Sequence, residues 1–373
     1  MNNEIKIENL LTFSRTIWKF LMFEYEFEER QIYGYKLSSI LKIMSKIFFI
    51  FVIFDEIFYT LINSNYLFEL YETHEFNFEK LTSAFTYLSA LTMVLTRYSC
   101  IYFNKDSIRK ILNNLPKEYK KSTLQSYKID KFLMNFLKLI KFHRYFNSSV
   151  IPFMMISIIA ELLTTGQKSF PFEIKFPFDA FRHDVYPFLI IWVFFSHILY
   201  LLTLLTNENF IYGLITVISI EFKLLAINLK NLKEDPENIY HCIKRQNELY
   251  KIVEKLQKIL APSFFINFLL SSILLCFTAF ISSIANDFMT LITEILFCFV
   301  GMLQICIQCF FGQILYDTSS SLVDSIYDCG WENMNDVKLK KLIMIIIIRS
   351  QKPAAFSLLG IWKITLEQFQ SVS

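Results

Sequence analysis

Apolar residues gather along this chain in seven runs, most of them near the roughly 20 residues that cross about 30 Å of hydrocarbon at 1.5 Å per residue. They fall at 37–62, 83–103, 150–165, 186–206, 262–284, 288–315 and 353–373. Each predicts a membrane-spanning helix. From 210 to 232 apolar and charged residues alternate with helical period, so the fourth helix is expected to run on past the bilayer. A shorter run, Leu342 to Ile348, stands between Lys341 and Arg349. It gives only about 10 Å of helix, too little to span. It must be buried in protein, either between subunits or as a core helix of one chain. Pro353 follows, and its missing N–H and bulky ring predict a break there.

The last run carries polar residues at helical spacing. Ser357, Gly360, Lys363, Glu367 and Gln370 share one stripe of a helix over 353–373, opposite Leu358, Leu359, Ile361, Leu366 and Phe369. Ionisable groups at membrane depth face a cavity, a partner or water. The stripe therefore fits a pore lined by several copies, a helix lying on the membrane surface, or a helix satisfied inside the bundle. Lys363 and Glu367, at i and i+4, can pair.

Composition extends the picture. With 54% hydrophobic residues, 41 Phe and only 7 Gly, the chain reads as a helical membrane protein, yet 19% charged residues exceed what spans and short loops need. A helical body outside the bilayer accounts for the excess. The expected class is an all-α polytopic membrane protein with seven transmembrane helices. Residues 1–312 hold helices one to six with their loops and cytosolic extensions, 313–352 further cytosolic helices, and 353–373 the last helix.

Charge sets the expected orientation. Lysines and arginines crowd the segments Arg109 to Arg144 and Lys223 to Lys258, whereas Glu69, Glu72, Glu75 and Glu79 face only Lys80 in the loop after the first span. The positive-inside bias then gives a cytosolic N-terminus and an extracellular C-terminus, the reverse of a G-protein-coupled receptor. No cleavable leader is visible before Lys36. The cysteines fall in spans or cytosolic segments and offer no extracellular disulfide. The sequon at Asn147 is on the cytosolic side and should be empty. A net charge of +3 gives no reason to expect nucleic acid.

Chemistry-bearing residues are few. His74, His143, His183, His197 and His241 are scattered without metal spacing, and there is no phosphate loop or nucleophile elbow. No catalytic residue, metal or cofactor is expected. Asp55, Glu56 and Glu161 are expected to reach water near the outer interface. Glu294, about two turns into the sixth span, is the better candidate for a pocket acid.

The stretches "GQILYDTSSSLVDSIYDCGWENM" and "KKLIMIIIIRSQKPAAFSLLGIWKITLEQFQSV" resemble the C-terminal signature of the insect odorant receptors. Weaker likenesses reach back to Phe170 through "FPFDAFRHDVYPFLIIW", "NENFIYGLITVISIEFKLLAINLKNL" and "HCIKRQNELYKIVEKLQKILAPSFFINFLLSSILLC". The resemblance implies a tuning subunit of a tetrameric, ligand-gated, non-selective cation channel in the plasma membrane of olfactory neurons. It would pair with a co-receptor subunit and bind small volatile odorants.

It also implies a ligand pocket in the outer halves of spans two, three, four and six. Those halves offer Phe85, Tyr87, Leu88, Met154, Met155, Ile158, Leu162, Tyr186, Leu189, Ile191, Trp192, Phe195, Leu291 and Ile292. Aromatic rings give shape, methionines adaptability, and any single one of these side chains is more often ordinary packing. The subunit anchor implied comprises Tyr327, Trp331, Leu342, Ile346, Arg349 and Pro353, and the resemblance favours the pore among the readings of the last helix. In the odorant receptors that helix continues past the position of Val372, so a truncated gene model or isoform is expected. The alternatives are a gustatory-type receptor channel and a metabotropic seven-helix receptor.

Overall fold

Helices carry the described part of the structure, a computed structural model that describes residues 5–6, 50–55, 57–62, 64–66, 68, 78–115, 118–119, 138–142, 145, 168, 170, 176, 178–233, 236–284, 288–358, 360, 362–367 and 370. Helix α1 is described at 50–55, 57–62, 64–66 and 68. It is followed by α2 (Phe78–Phe103), α3 (Lys105–Asn113), α4 (Tyr186–Lys230), α5 (Ile239–Ile284), α6 (Phe288–Tyr327) and α7 (Val337–Ser350). Two short antiparallel pairs complete the described elements: β1 (Ile5–Lys6) with β2 (Glu118–Tyr119), and β3 (Ser357–Leu358) with β4 (Trp362–Lys363). The third expected span, 150–165, lies outside the described residues.

Helices α4, α5 and α6 hold 45, 46 and 40 residues. At 1.5 Å per residue they run about 60–70 Å, roughly twice the hydrocarbon thickness. The expectation of helices that outrun the bilayer is met. Tyr186–Lys230, Pro236–Ile284 and Cys298–Asn333 are long and apolar enough to cross a membrane.

Burial separates the two halves of these rods. The first half of α4 and the second half of α5 present Phe188, Ile191, Leu269, Phe280 and Ile284 outward, an arrangement suited to lipid. The opposite halves form the main core. There α4 contributes Phe210 to Leu229, α5 Ile239 to Phe264, and α6 Ile305 to Ile326, with Leu339, Ile343, Ile346 and Ile347 of α7 closing one side. Tyr212 of α4 stacks on Phe311 of α6 with ring centroids 4.4 Å apart. Each fully buried aliphatic or Phe side chain contributes roughly 1.5–3 kcal/mol, so this body dominates the protomer's stability. Pro262 lies inside α5 without ending it.

Local chemistry fixes the elements around α7. Asp336 caps its N-terminus by accepting hydrogen bonds from the amides of Lys338 (2.8 Å) and Leu339 (3.3 Å). Gly330 supplies the left-handed residue (φ 68°) that lets the chain leave α6 and turn through Trp331–Asn333.

The segment after Pro353 departs from expectation. It is not a spanning helix. Ala354, Phe356 and Leu358 are buried in alternation, and Ser357 pairs with Lys363 and Leu358 with Trp362 across a turn where Gly360 sits at φ 76°. The hairpin docks on α5 and α6. Gln257 accepts from the Ser357 amide (3.0 Å), Gln313 accepts from the Leu366 amide (3.2 Å), and Ser319 donates to the Ala354 carbonyl (3.1 Å). Phe356 packs edge-on to Phe264 at 5.6 Å. Side chains of the long helices thus take the backbone groups that a helix would have satisfied internally.

Candidate functional site

Three regions of the fold carry candidate function. The first is an aromatic cluster where α1, α2 and the start of α4 meet. Tyr59, Ile62, Leu91, Phe176, Ala180 and Val193 are buried together, with Phe58, Phe170, Leu189, Trp192 and Tyr200 packed against them. Phe170 lies 5.5 Å from both Phe181 and Tyr186, and Lys168 stands 5.2 Å from the Tyr186 ring centroid. The loop before α4 is thereby stitched to its first turn.

Of the expected pocket residues, Tyr186, Leu189 and Trp192 enter or border this cluster. Ile191 and Phe195 are 67% and 51% exposed and face outward on the single chain, although Phe195 still meets Phe51 at 6.3 Å. Phe85 sits edge-on to Phe277 of α5 at 5.3 Å, and Leu88 and Leu291 are half-buried. The structure does not bring these into one described pocket with Trp192. Met154, Met155, Ile158 and Leu162, and the side chains of Tyr87 and Ile292, lie outside the described residues, as do those of Glu56, Glu161 and Glu294.

The second region is a polar belt across the bundle. Arg97 of α2 pairs with Glu208 of α4, both almost wholly buried, and Gln304 of α6 donates to the same carboxylate at 3.2 Å. Asn267 of α5 donates to Gln308 of α6 at 2.7 Å. Glu208 lies 22 residues into α4, about 33 Å along the helix, so the belt sits where the membrane half gives way to the packed body. These residues were not among the expected sites. The signal was a basic residue inside the second apolar run and an acid just past the fourth, but they are 111 positions apart and nothing local pairs them.

Asp55 corrects a second expectation. It does not reach water in the protomer: it is 7% exposed and accepts from Ser196 at 3.0 Å.

The third region is α7 and the hairpin. Ile346 is 1% exposed inside its own protomer's core, so a carboxylate there would disrupt the single chain before any contact between chains. The exposed side of α7 carries Val337, Met344, Ile345 and Ile348, with Lys338, Lys341 and Arg349 among them. Leu342, Trp331 and Pro353 are half-buried, and Tyr327 is exposed. Arg349 stacks 3.9 Å over the Tyr250 ring, and Gln246 donates to Ser350 at 2.7 Å. Nearby, Arg245 donates to Glu221 at 3.0 Å and to Glu248 at 3.2 Å, which holds its guanidinium above its usual range against the opposing effect of burial.

The polar stripe of the last segment is not formed as a helical stripe. Ser357 is held by Gln257, Gly360 is the turn, Lys363 reaches over the Tyr316 ring at 4.9 Å, and Glu367 and Gln370 are exposed. The missed signal was the period-two burial of Ala354, Phe356 and Leu358 followed by a glycine, which competes with the helical reading over the same residues.

Long apolar helices joined below the bilayer region by a common core define a polytopic helical membrane protein, and comparison with known proteins gives its family. The 7tm odorant receptor family matches residues 77–373, and the chain belongs to it. Odorant receptor 67c of Drosophila melanogaster is 26% identical over 200 residues, covering 51% of this chain and 49% of that receptor. Odorant receptor 85c of the same species is 20% identical over 293 residues, covering 73% and 75%. The chain thus matches about half the length of the first relative and three quarters of the second. The solved olfactory receptor OR5 of Machilis hrabei superposes with a TM-score of 0.78 at 16% identity over 98% of this chain and 94% of that one, and its complex with eugenol superposes equally well. The fold is that of an insect olfactory receptor.

Proposed function

We propose that the chain is an odorant-sensing subunit of a ligand-gated, non-selective cation channel in the plasma membrane of olfactory neurons. The family match over 77–373 carries this reading. The superposition on OR5, a receptor solved also with eugenol, supports it. Small volatile ligands would be bound by burying apolar surface in the outer part of the bundle, near Phe85, Leu88, Tyr186, Leu189 and Trp192.

The partner is a co-receptor subunit, and the whole a hetero-tetramer. The exposed side of α7 supports this placement, because four apolar side chains within 12 residues, Val337, Met344, Ile345 and Ile348, leave about half or more of their surface uncovered in the protomer. Positive-inside charge supports a cytosolic N-terminus and an extracellular C-terminus. A pore role for Ser357, Gly360, Lys363, Glu367 and Gln370 requires 353–373 to leave the hairpin and become helical on assembly.

The test is expression with and without a co-receptor while cation current is measured against an odorant panel. Current that needs both chains and an odorant supports the reading. Current that depends on GTP and not on a co-expressed subunit refutes it.

A further inference from the structure

Asp55 is an acid that the described fold leaves without a counter-charge. It lies in α1 seven residues before Ile62 and is 7% exposed. Ser196 of α4 donates to one carboxylate oxygen at 3.0 Å. An ionised carboxylate offers about four acceptor sites, so the Ser196 hydroxyl and the neighbouring Trp192 indole, both neutral, leave about half of them unfilled and supply no charge. Among the described residues no lysine or arginine forms an ion pair with it. His197, the next residue of α4, has its Nδ1 engaged by the Val193 carbonyl at 2.6 Å.

The walls around this acid are aromatic. Tyr59, one turn along α1, is 1% exposed and is an electrostatic neighbour of Asp55. Trp192, one turn before Ser196 on α4, packs edge-on to Phe51 at 5.6 Å, and Phe51 itself is one turn before Asp55. A buried carboxylate in a membrane bundle is stabilised by a proton or by a cation. A carboxylate flanked by Trp, Tyr and Phe is the combination that recognises an organic ammonium, through an ion pair on one side and cation–π contacts on the other.

We infer that Asp55, with Ser196, Tyr59 and Trp192, forms a recognition site between α1 and α4 for small protonated amines. It rests on the odorant-receptor reading only for the placement of this cluster on the side from which odorants arrive. The site shares Trp192 with the apolar pocket proposed above and adds a carboxylate to it, and it gives the receptor a means of telling an amine from a neutral molecule of the same shape.

The experiment measures binding rather than current, so that a failed channel reading and a failed site give different results. Membranes carrying the full chain are titrated with radiolabelled 2-phenylethylamine, with 2-phenylethanol as a neutral competitor of matched shape. Saturable binding is expected. Asp55→Asn should weaken it about tenfold or more, because the ion pair is lost. That variant can still accept the Ser196 hydrogen bond and should elute from gel filtration as the wild type does. Ser196→Ala, which keeps the charge, should hold affinity within about threefold, as expected for one neutral hydrogen bond. No saturable binding, equal affinity in Asp55→Asn, or equally potent displacement by the alcohol overturns the proposal. If Asp55→Asn does not elute as the wild type, Trp192→Leu takes its place: affinity should fall several-fold, and unchanged affinity overturns the proposal.

Discussion

Glu208→Gln should be more damaging than Arg97→Met, although both break the same ion pair. Arg97 and Glu208 are 2% and 1% exposed, so neither can turn to water when its partner is lost. Removing one member of a buried pair typically costs about 3–5 kcal/mol, which is roughly a hundred- to several-thousand-fold in the folding equilibrium. The two halves are not equivalent. Arginine cannot shed its proton, so Glu208→Gln leaves a permanent buried cation with only a neutral amide oxygen, which Gln304 also donates to, in place of the carboxylate. Arg97→Met leaves a carboxylate that can take up a proton and still accept from Gln304. Its cost should fall near or below the lower end of that range, and Glu208→Gln near the upper end. The double variant Arg97→Met/Glu208→Leu leaves no charge and should recover most of the loss. Unfolding of purified protein by SDS titration in mixed micelles reads these differences. A larger loss for Arg97→Met than for Glu208→Gln, or losses below about 1 kcal/mol for both, would refute the claim that the pair is buried and mutually compensating.

Further outcomes follow from the other regions. A Cβ on Gly312 would lie 2.1 Å from the Ile364 carbonyl oxygen, so Gly312→Ala should lift the hairpin from α6 at a cost of about 1–3 kcal/mol. Faster hydrogen exchange at the Ser357, Ile364 and Leu366 amides checks this, and unchanged exchange counts against the docked hairpin. On α7, Ile345→Glu and Ile348→Glu should abolish co-purification with a co-receptor while the chain still elutes as a folded protein, whereas Ile346→Asp should lose the folded peak itself. Burial pushes the Cys329 thiol up, so it stays protonated at neutral pH and should react with maleimide far more slowly than an exposed cysteine in the folded chain. Rapid labelling at pH 7 would place it at the surface.

The long helices were legible because a membrane-length apolar run has few other solutions, and the overshoot of α4 because its helical period continues past Thr206. The short run at Leu342–Ile348 was legible as buried but not as to what buries it. The structure gives each reading a face, with Ile343, Ile346 and Ile347 inward and Met344, Ile345 and Ile348 outward. The hairpin was not legible, because Ser357, Gly360 and Lys363 satisfy a helical stripe while Ala354, Phe356 and Leu358 satisfy a strand. What decides between them is Gln257 and Gln313, 100 and 53 residues away from the amides they accept from. The Arg97–Glu208 pair and the Asp55–Ser196 contact escaped for the same reason. Each joins residues more than 100 positions apart, and no periodicity reports such a partner.

The central claim is that odorant binding opens a channel built from this chain without a soluble messenger. Outside-out patches excised from cells co-expressing this chain and a co-receptor, bathed without nucleotides, test it most directly. An odorant chosen from the panel should evoke unitary currents carried by sodium and potassium alike, and none in patches from cells expressing the co-receptor with an unrelated membrane protein. Currents that vanish on excision and return only when GTP is supplied would contradict the account.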